Sequence, residues 1–172
     1  MSKLNFLKNK SYLNLLNRMN LISILLTLLV FFLDRVTKIK ILNFSSENSK
    51  IFLNDYINLD LAWNTGIGFG LFSSYSGLIY NSISLIIGII LVFIVFLICK
   101  SNYINKIILS LILGGAIGNF YDRIVYYAVP DFIDIHYNNF HWFTFNVADI
   151  FITIGVVILL FRDLVIKKNE DL

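Results

Sequence analysis

Asp131 and Asp149 are the residues of this chain best suited to acid–base chemistry. Asp149 lies early in the apolar run Phe143–Phe161, and Asp131 follows the run Ile107–Ile124. Ionisable groups within spanning segments are costly, usually face a protein interior or a water-filled cavity, and mark function by default. Two carboxylates brought close cannot both ionise cheaply, so one keeps its proton. The charged member then takes a proton from water while the protonated member polarises a carbonyl. That is peptide hydrolysis by an aspartic pair, with pKa values that belong to the pair. Sequence permits the two aspartates to meet but does not require it.

Other polar residues recur at helical spacing. Asp34 and Lys38 are four apart, as are Asn119 and Arg123, with Asp122 beside the latter; Asn146 and Asp149 are three apart. Such spacings put side chains on one helix face. Taken singly, each is explained as a helix-end residue meeting headgroups or a neighbouring helix. Taken together, the first, third and fourth apolar runs deliver these polar groups to one level. Asparagine is abundant throughout, so only an Asn inside this constellation carries weight. His136 and His141 lack the HExxH spacing of a zinc peptidase. A metal held by Asp131, His136, His141 and Asp149 is a second reading, and surface imidazoles in an aromatic loop are the simpler one. Cys99, the single cysteine, reads as a small apolar filler.

The stretch WNTGIGFGLF (63–72) looks like a phosphate loop. A dinucleotide fingerprint needs its third glycine at position 71, which is Leu71, and no βαβ unit surrounds it. The expectation is instead that Gly66, Gly68 and Gly70 leave room for a substrate backbone to approach Asn64.

The elements that must position these groups follow from hydropathy. The chain has 172 residues, 58% hydrophobic and 15% charged, with one proline and a mean hydropathy of +0.76. So few charges cannot cover a solvated bundle, which excludes an ordinary soluble domain. Crossing a bilayer takes about 20 mostly apolar residues. Four runs qualify, and spans are expected over about 19–39, 78–99, 107–125 and 143–162. A cleaved leader is the alternative for the first, but no small-x-small pattern follows it. Between spans one and two, Ile57, Leu59, Leu61 and Trp63 alternate with polar or small residues, which predicts a half-buried strand. Its apolar face should lie on the membrane or the bundle. The expected fold is one membrane all-α domain: a four-helix transmembrane bundle plus a small extracytoplasmic β-sheet within about 41–77.

Nine of the 14 basic residues lie in the N-terminal segment (Lys3, Lys8, Lys10, Arg18), the 2–3 connection (Lys100, Lys106) and the tail (Arg162, Lys167, Lys168). The 3–4 connection has none. The positive-inside tendency therefore places both termini in the cytoplasm and the polar groups near the outer face. Lys40 and Lys50 run against this within the 1–2 connection. The net charge of +3 reflects inner-face anchoring, not a nucleic-acid groove.

Five stretches resemble those of the lipoprotein signal peptidases (signal peptidase II): DRVTK (34–38), NTGIGFG (64–70), GGAIGNFYDR (114–123), VPDF (129–132) and FNVADIFI (145–152). Each alone is weak; the five in order span the chain from the first run to the fourth. The resemblance implies a monomeric aspartic endopeptidase of the bacterial inner membrane that needs no metal or cofactor. Its partners are membrane lipids and prolipoproteins, which it cuts before a diacylglyceryl-modified cysteine. It puts the catalytic pair on Asp131 and Asp149, with Asp34, Lys38, Asn64, Gly66, Asn119, Arg123 and Asn146 in support. Gly68 departs from the family's usual alanine. Pro130 departs too, restricting Val129 to extended backbone and removing a donor just before Asp131.

Two other classes compete. A small transporter could use Asp34, Asp131 and Asp149 as an ion path, but the inner halves of the spans offer no continuation. A purely structural membrane subunit leaves the clustered carboxylates unexplained.

Overall fold

The computed structural model describes residues 18–45, 50–66, 77–138 and 140–170. Four long helices and four strands follow one another as α1 (Arg18–Ser45), β1 (Ile51–Asn54), β2 (Ile57–Asn64), α2 (Gly77–Lys100), α3 (Tyr103–Tyr126), β3 (Val129–Tyr137), β4 (Phe140–Phe145) and α4 (Val147–Glu170). Among the described residues, α1, α2 and α3 are long and apolar enough to cross a membrane. Gly68 and Gly70, and the basic residues Lys3, Lys8 and Lys10, lie outside the described residues.

Helix α3 is the hub, packing against α1, α2 and α4. Its start is set by Asn102, in extended backbone, whose side chain accepts the Asn105 N–H at 3.1 Å. An N-cap of this kind satisfies a donor that the first turn leaves open. One face of α3 interlocks with α2 through Ile108, Leu109, Ile112 and Leu113 against Leu91, Ile94 and Ile98. The opposite side of α2 exposes Leu85, Ile89, Val92 and Phe93, as a helix facing lipid would.

Glycines set the approach of α3 to its other two neighbours. A Cβ at Gly114 would stand 2.7 Å from the Thr27 carbonyl oxygen of α1, and one at Gly115 only 2.5 Å from the Ala148 carbonyl oxygen of α4. Neither obstacle is a side chain that can swing away. Gly115→Ala is therefore expected to cost roughly 1–3 kcal/mol by overpacking, seen as a lower melting temperature in detergent. A melting temperature equal to that of the parent protein would refute this close packing.

The strands form one antiparallel sheet in the order β1-β2-β3-β4. The sequence reading expected strand only before α2. The whole connection between α3 and α4 joins the same sheet, and this claims Phe143–Phe145, so α4 begins at Val147 and not near 143. Likewise α1 continues to Ser45, six residues past its expected end.

Pro130 is tolerated in this inner strand because pairing between β3 and β4 starts only at Ile133↔Phe145, leaving one side of β3 free at Pro130. In β2 the expected phase is broken. The register shifts between Leu59↔Ile133 and Ala62↔Asp131, an irregularity of the bulge type that re-aims side chains. As a result Asn64 is buried and Trp63 exposed, while Asn58, which precedes the shift, is buried on the opposite face of the sheet beside His136. The expected apolar burial holds only in part, with Leu59 and Leu61 lying beside Ile41 and Phe44 of α1.

Candidate active site

At the sheet end of the bundle, the side chains singled out from sequence form one connected hydrogen-bond network. It starts on α1. Asp34 and Lys38 share a helix face, and both are fully buried. The Lys38 ammonium donates to Asp34 Oδ2 at 2.8 Å, to Asn119 Oδ1 at 2.8 Å and to Asp122 Oδ2 at 2.7 Å. Three acceptors match its three N–H groups. Arg35 lies 2.7 Å from the other Asp122 oxygen, so two cations and two carboxylates balance inside the protein. That balance is what makes their burial bearable.

From this cluster the network runs to Asp149. Because Lys38 occupies Asn119 Oδ1, the amide of Asn119 is oriented with Nδ2 outward, and this donates to Asp149 Oδ1 at 2.8 Å. The start of α4 fixes the other carboxylate oxygen. Asn146 Oδ1 accepts the Asp149 N–H at 3.1 Å, and Asp149 Oδ2 accepts the Asn146 N–H at 3.2 Å. This is a reciprocal cap across three residues. Asp34 Oδ1 takes the next exposed donor, the Ala148 N–H, at 3.0 Å.

Asn146 also joins the two candidate carboxylates. Its Nδ2 donates to Asp131 Oδ1 at 2.6 Å while its backbone and Oδ1 hold Asp149. Asn64 Nδ2 donates to Asp131 Oδ2 at 2.9 Å. The sheet makes that bond possible: Ala62 pairs with Asp131 and Asn64 with Val129, so Asn64 and Asp131 are diagonal neighbours. Burial pushes the Asp131 carboxyl up, and the Asp149 charge pushes it further, to about 6 against the ordinary 3.8; the two amides only partly offset this.

Gly66 and Arg123 brace Asn64 from behind. The Gly66 N–H donates to Asn64 Oδ1 at 2.8 Å, which turns Nδ2 toward Asp131. Arg123 donates to the Gly66 carbonyl oxygen at 2.6 Å and to the Asn119 carbonyl oxygen at 3.2 Å. Gly66 thus has both backbone groups engaged within the protein, a bracing contact where the sequence suggested open space for a substrate. All nine residues expected from sequence meet in this network.

Sequence reasoning underrated Arg35 and Asp122, which appeared only as neighbours of motif residues, and missed Tyr80, whose hydroxyl donates to the Arg123 carbonyl oxygen at 2.8 Å. The spacing Asn119/Asp122 was a usable signal for the second of these.

The histidines correct another expectation. His136 is buried in the sheet beside the Asn58 amide, 3.1 Å away, and is not a surface imidazole. His141 Nδ1 lies 2.8 Å from Asp134 Oδ2. Both rings therefore turn to Asp134, not to Asp131 and Asp149, so the four-ligand metal set does not assemble. Burial raises the Asp134 carboxyl, but the hydrogen bond and charge of His141, with Asn58 and Lys50, outweigh it and bring it below the ordinary value. Its contribution to stability is present above the ordinary carboxylate range and lost on acidification.

An apolar groove of about 280 Å³ opens beside Asp149, lined also by Phe145, Ile150, Thr153 and Ile154. The site therefore combines a buried Asp131, a half-buried Asp149, braced amides and an apolar groove.

Comparison with known proteins shows the family and the fold. The family model described as Signal peptidase (SPase) II matches residues 26–165. A lipoprotein signal peptidase of Pelagibacter ubique is 50% identical over 161 residues, covering 90% of this chain and 97% of that protein. One from Francisella tularensis subsp. novicida is 38% identical over 150 residues, covering 85% and 93%. A solved structure described as a bacterial membrane enzyme, obtained by the in meso method at 2.3 Å resolution, superposes with a TM-score of 0.75 at 30% identity, covering 86% of this chain and 90% of that one. A second, at 1.9 Å resolution, gives 0.65 at 29% identity, covering 81% and 90%.

Proposed function

The chain belongs to the signal peptidase II family, and from that premise we propose that it is an intramembrane aspartic endopeptidase cutting prolipoproteins before their diacylglyceryl-modified cysteine. The observation that carries this reading is the Asn146 link: one residue holds Asp131 by its amide and Asp149 by its cap. The pair shares one proton. Its charged member takes a proton from water as that water attacks the scissile carbonyl, and its protonated member donates to the carbonyl oxygen. Asn64, Asn119 and Asn146 hold the carboxylates, and Asp34 and Lys38 hold Asn119 and the start of α4. Arg123 Nε is buried and has no acceptor among the described residues, which suits it to receive a substrate carbonyl. The groove beside Asp149 suits an acyl chain or the apolar signal segment.

In this reading all four helices span the inner membrane, both termini are cytoplasmic and the pair lies near the outer surface. A lipid-modified substrate is met at that level without leaving the bilayer. The enzyme acts as a monomer and needs no cofactor.

The test uses two synthetic precursors in liposomes, alike except that one carries the diacylglyceryl group. Mass spectrometry is expected to find cleavage before the modified cysteine only. Equal cutting of both, or cutting elsewhere, would refute the assignment. The pH profile is a second readout. The shared proton is lost as pH rises, so turnover should fall on the alkaline side of an apparent pKa at or above about 6. The sign for stability agrees: Asp131 binds its proton more tightly when folded, so its contribution worsens as pH rises from about 4 to about 6.

A further inference from the structure

A second cavity, of about 300 Å³, lies between α1, α2 and α3 at the far end of the bundle from the carboxylates. Its wall includes Ser23, Thr27 and Leu28 of α1, Val95 and Ile98 of α2, and Leu113 of α3. Ser23 is 11 residues before Asp34, about 16 Å along the helix. The volume is at the small end for a ligand pocket and fits part of an acyl chain.

Two features separate this cavity from ordinary lipid-facing roughness. Ser23 is 4% exposed, and its hydroxyl has no partner among the described residues. A buried hydroxyl left without an acceptor is costly, and an arriving ester carbonyl would relieve it. The mouth is also basic. Asn20, in the cavity wall, accepts a hydrogen bond from the Lys106 ammonium, which has further donors to offer. Lys100 follows the wall residue Cys99, and Arg18 is the first residue of α1.

We propose that this cavity holds an anionic glycerophospholipid of the cytoplasmic leaflet, with an acyl chain against Leu28, Val95 and Leu113. Its ester carbonyl accepts from Ser23, and its phosphate sits by Lys106, Lys100 and Arg18. Basic residues at the cytoplasmic surface favour anionic lipid in general; the cavity and Ser23 make it a site. The proposal takes its leaflet from the orientation given above, but lipid retention is measured without any cleavage assay.

Native mass spectrometry of the delipidated full chain, titrated with dioleoyl phosphatidylglycerol or dioleoyl phosphatidylcholine, tests it. The parent protein should retain the first about tenfold better. Leu28→Trp, which fills the cavity, should lower phosphatidylglycerol retention about tenfold with little change in melting temperature. Should the tryptophan disturb folding, Ser23→Ala serves instead and should lower retention of both lipids. Lys106→Gln should bring the two lipids within about twofold of each other. Retention unchanged in both Leu28→Trp and Ser23→Ala, or a parent protein indifferent to headgroup, overturns the site. Headgroup preference that survives in all three variants means lipid bound elsewhere on the basic rim, and overturns it too. A parent protein that retains lipid as expected but cleaves no precursor would count against the peptidase reading alone.

Discussion

Asp131→Asn and Asp149→Asn are each expected to lower turnover of a diacylglyceryl-modified precursor by roughly 10²–10⁴-fold, the range of one positioned acid or base. The geometry predicts how the losses combine. Asp131 and Asp149 share Asn146 and one proton, so they act as a unit, and the double variant should be scarcely worse than either single one. Losses that multiply would mean two independent roles and would count against a pair.

Stability must be measured beside turnover. Both Asp131 oxygens accept amide N–H groups, from Asn64 and from Asn146. In Asp131→Asn the new amide can offer only one oxygen, so an N–H must face an N–H on the other side. Asp149→Asn meets the same conflict between Asn119 and the Asn146 backbone. A conflict of this kind costs about 1–3 kcal/mol. Against it, Asp131→Asn removes a carboxylate that burial disfavours. Folded, inserted and inactive protein is the expected outcome. Near-normal turnover in either single variant would exclude that residue from the chemistry.

The largest effect on stability is expected from Lys38→Met. Lys38 satisfies Asp34, Asp122 and Asn119 together, and none of its surface is exposed. Methionine nearly matches its length but leaves two buried carboxylates, of which Asp122 keeps Arg35 and Asp34 keeps no ion-pair partner among the described residues. Breaking a buried pair from one side costs about 3–5 kcal/mol. Adding Asp122→Asn removes the surplus charge and should restore part of the loss, and the resulting coupling is the informative quantity. The readout is thermal unfolding of the four proteins in one detergent. A loss below about 1 kcal/mol for Lys38→Met would mean that water or lipid headgroups reach this cluster, contrary to its burial. Turnover should fall as well, because Asn119 loses the Lys38 contact that helps turn its Nδ2 toward Asp149. Lys38 is in this sense a positioning residue for the carboxylate, and an altered pH profile would distinguish that role from simple loss of folded protein.

What could be read from sequence was whatever depends on near neighbours and on solvent class. The apolar runs are dictated by the bilayer's refusal of unpaired polar groups, so the helices were legible, though their ends were not. The end of α1 and the start of α4 moved because adjoining segments had other uses: Phe143–Phe145 pairs with β3 in preference to continuing the helix. The pairs Asp34/Lys38 and Asn146/Asp149 were legible because helix geometry brings residues three and four apart together. The strand at β2 was visible by alternation, but its phase was misread. A bulge inserted after Leu59 reverses which side chains face inward, and period-two patterns carry no mark of it.

Taken alone, then, the sequence determined the membrane class, the helical pairs and, by motif resemblance, which residues to expect at the candidate site. Tertiary structure alone decided that Asp131 meets Asn64 across 67 residues and Asn146 across 15, that Lys38 reaches Asn119 across 81, and that the histidines turn to Asp134. These bonds require α3 to pack on α1 and α4 at glycine-set distances and the sheet to hold its register. Local spacing fixes directions within one element. Which elements face each other is set by burying apolar area over the whole chain, and no short stretch of residues encodes that sum.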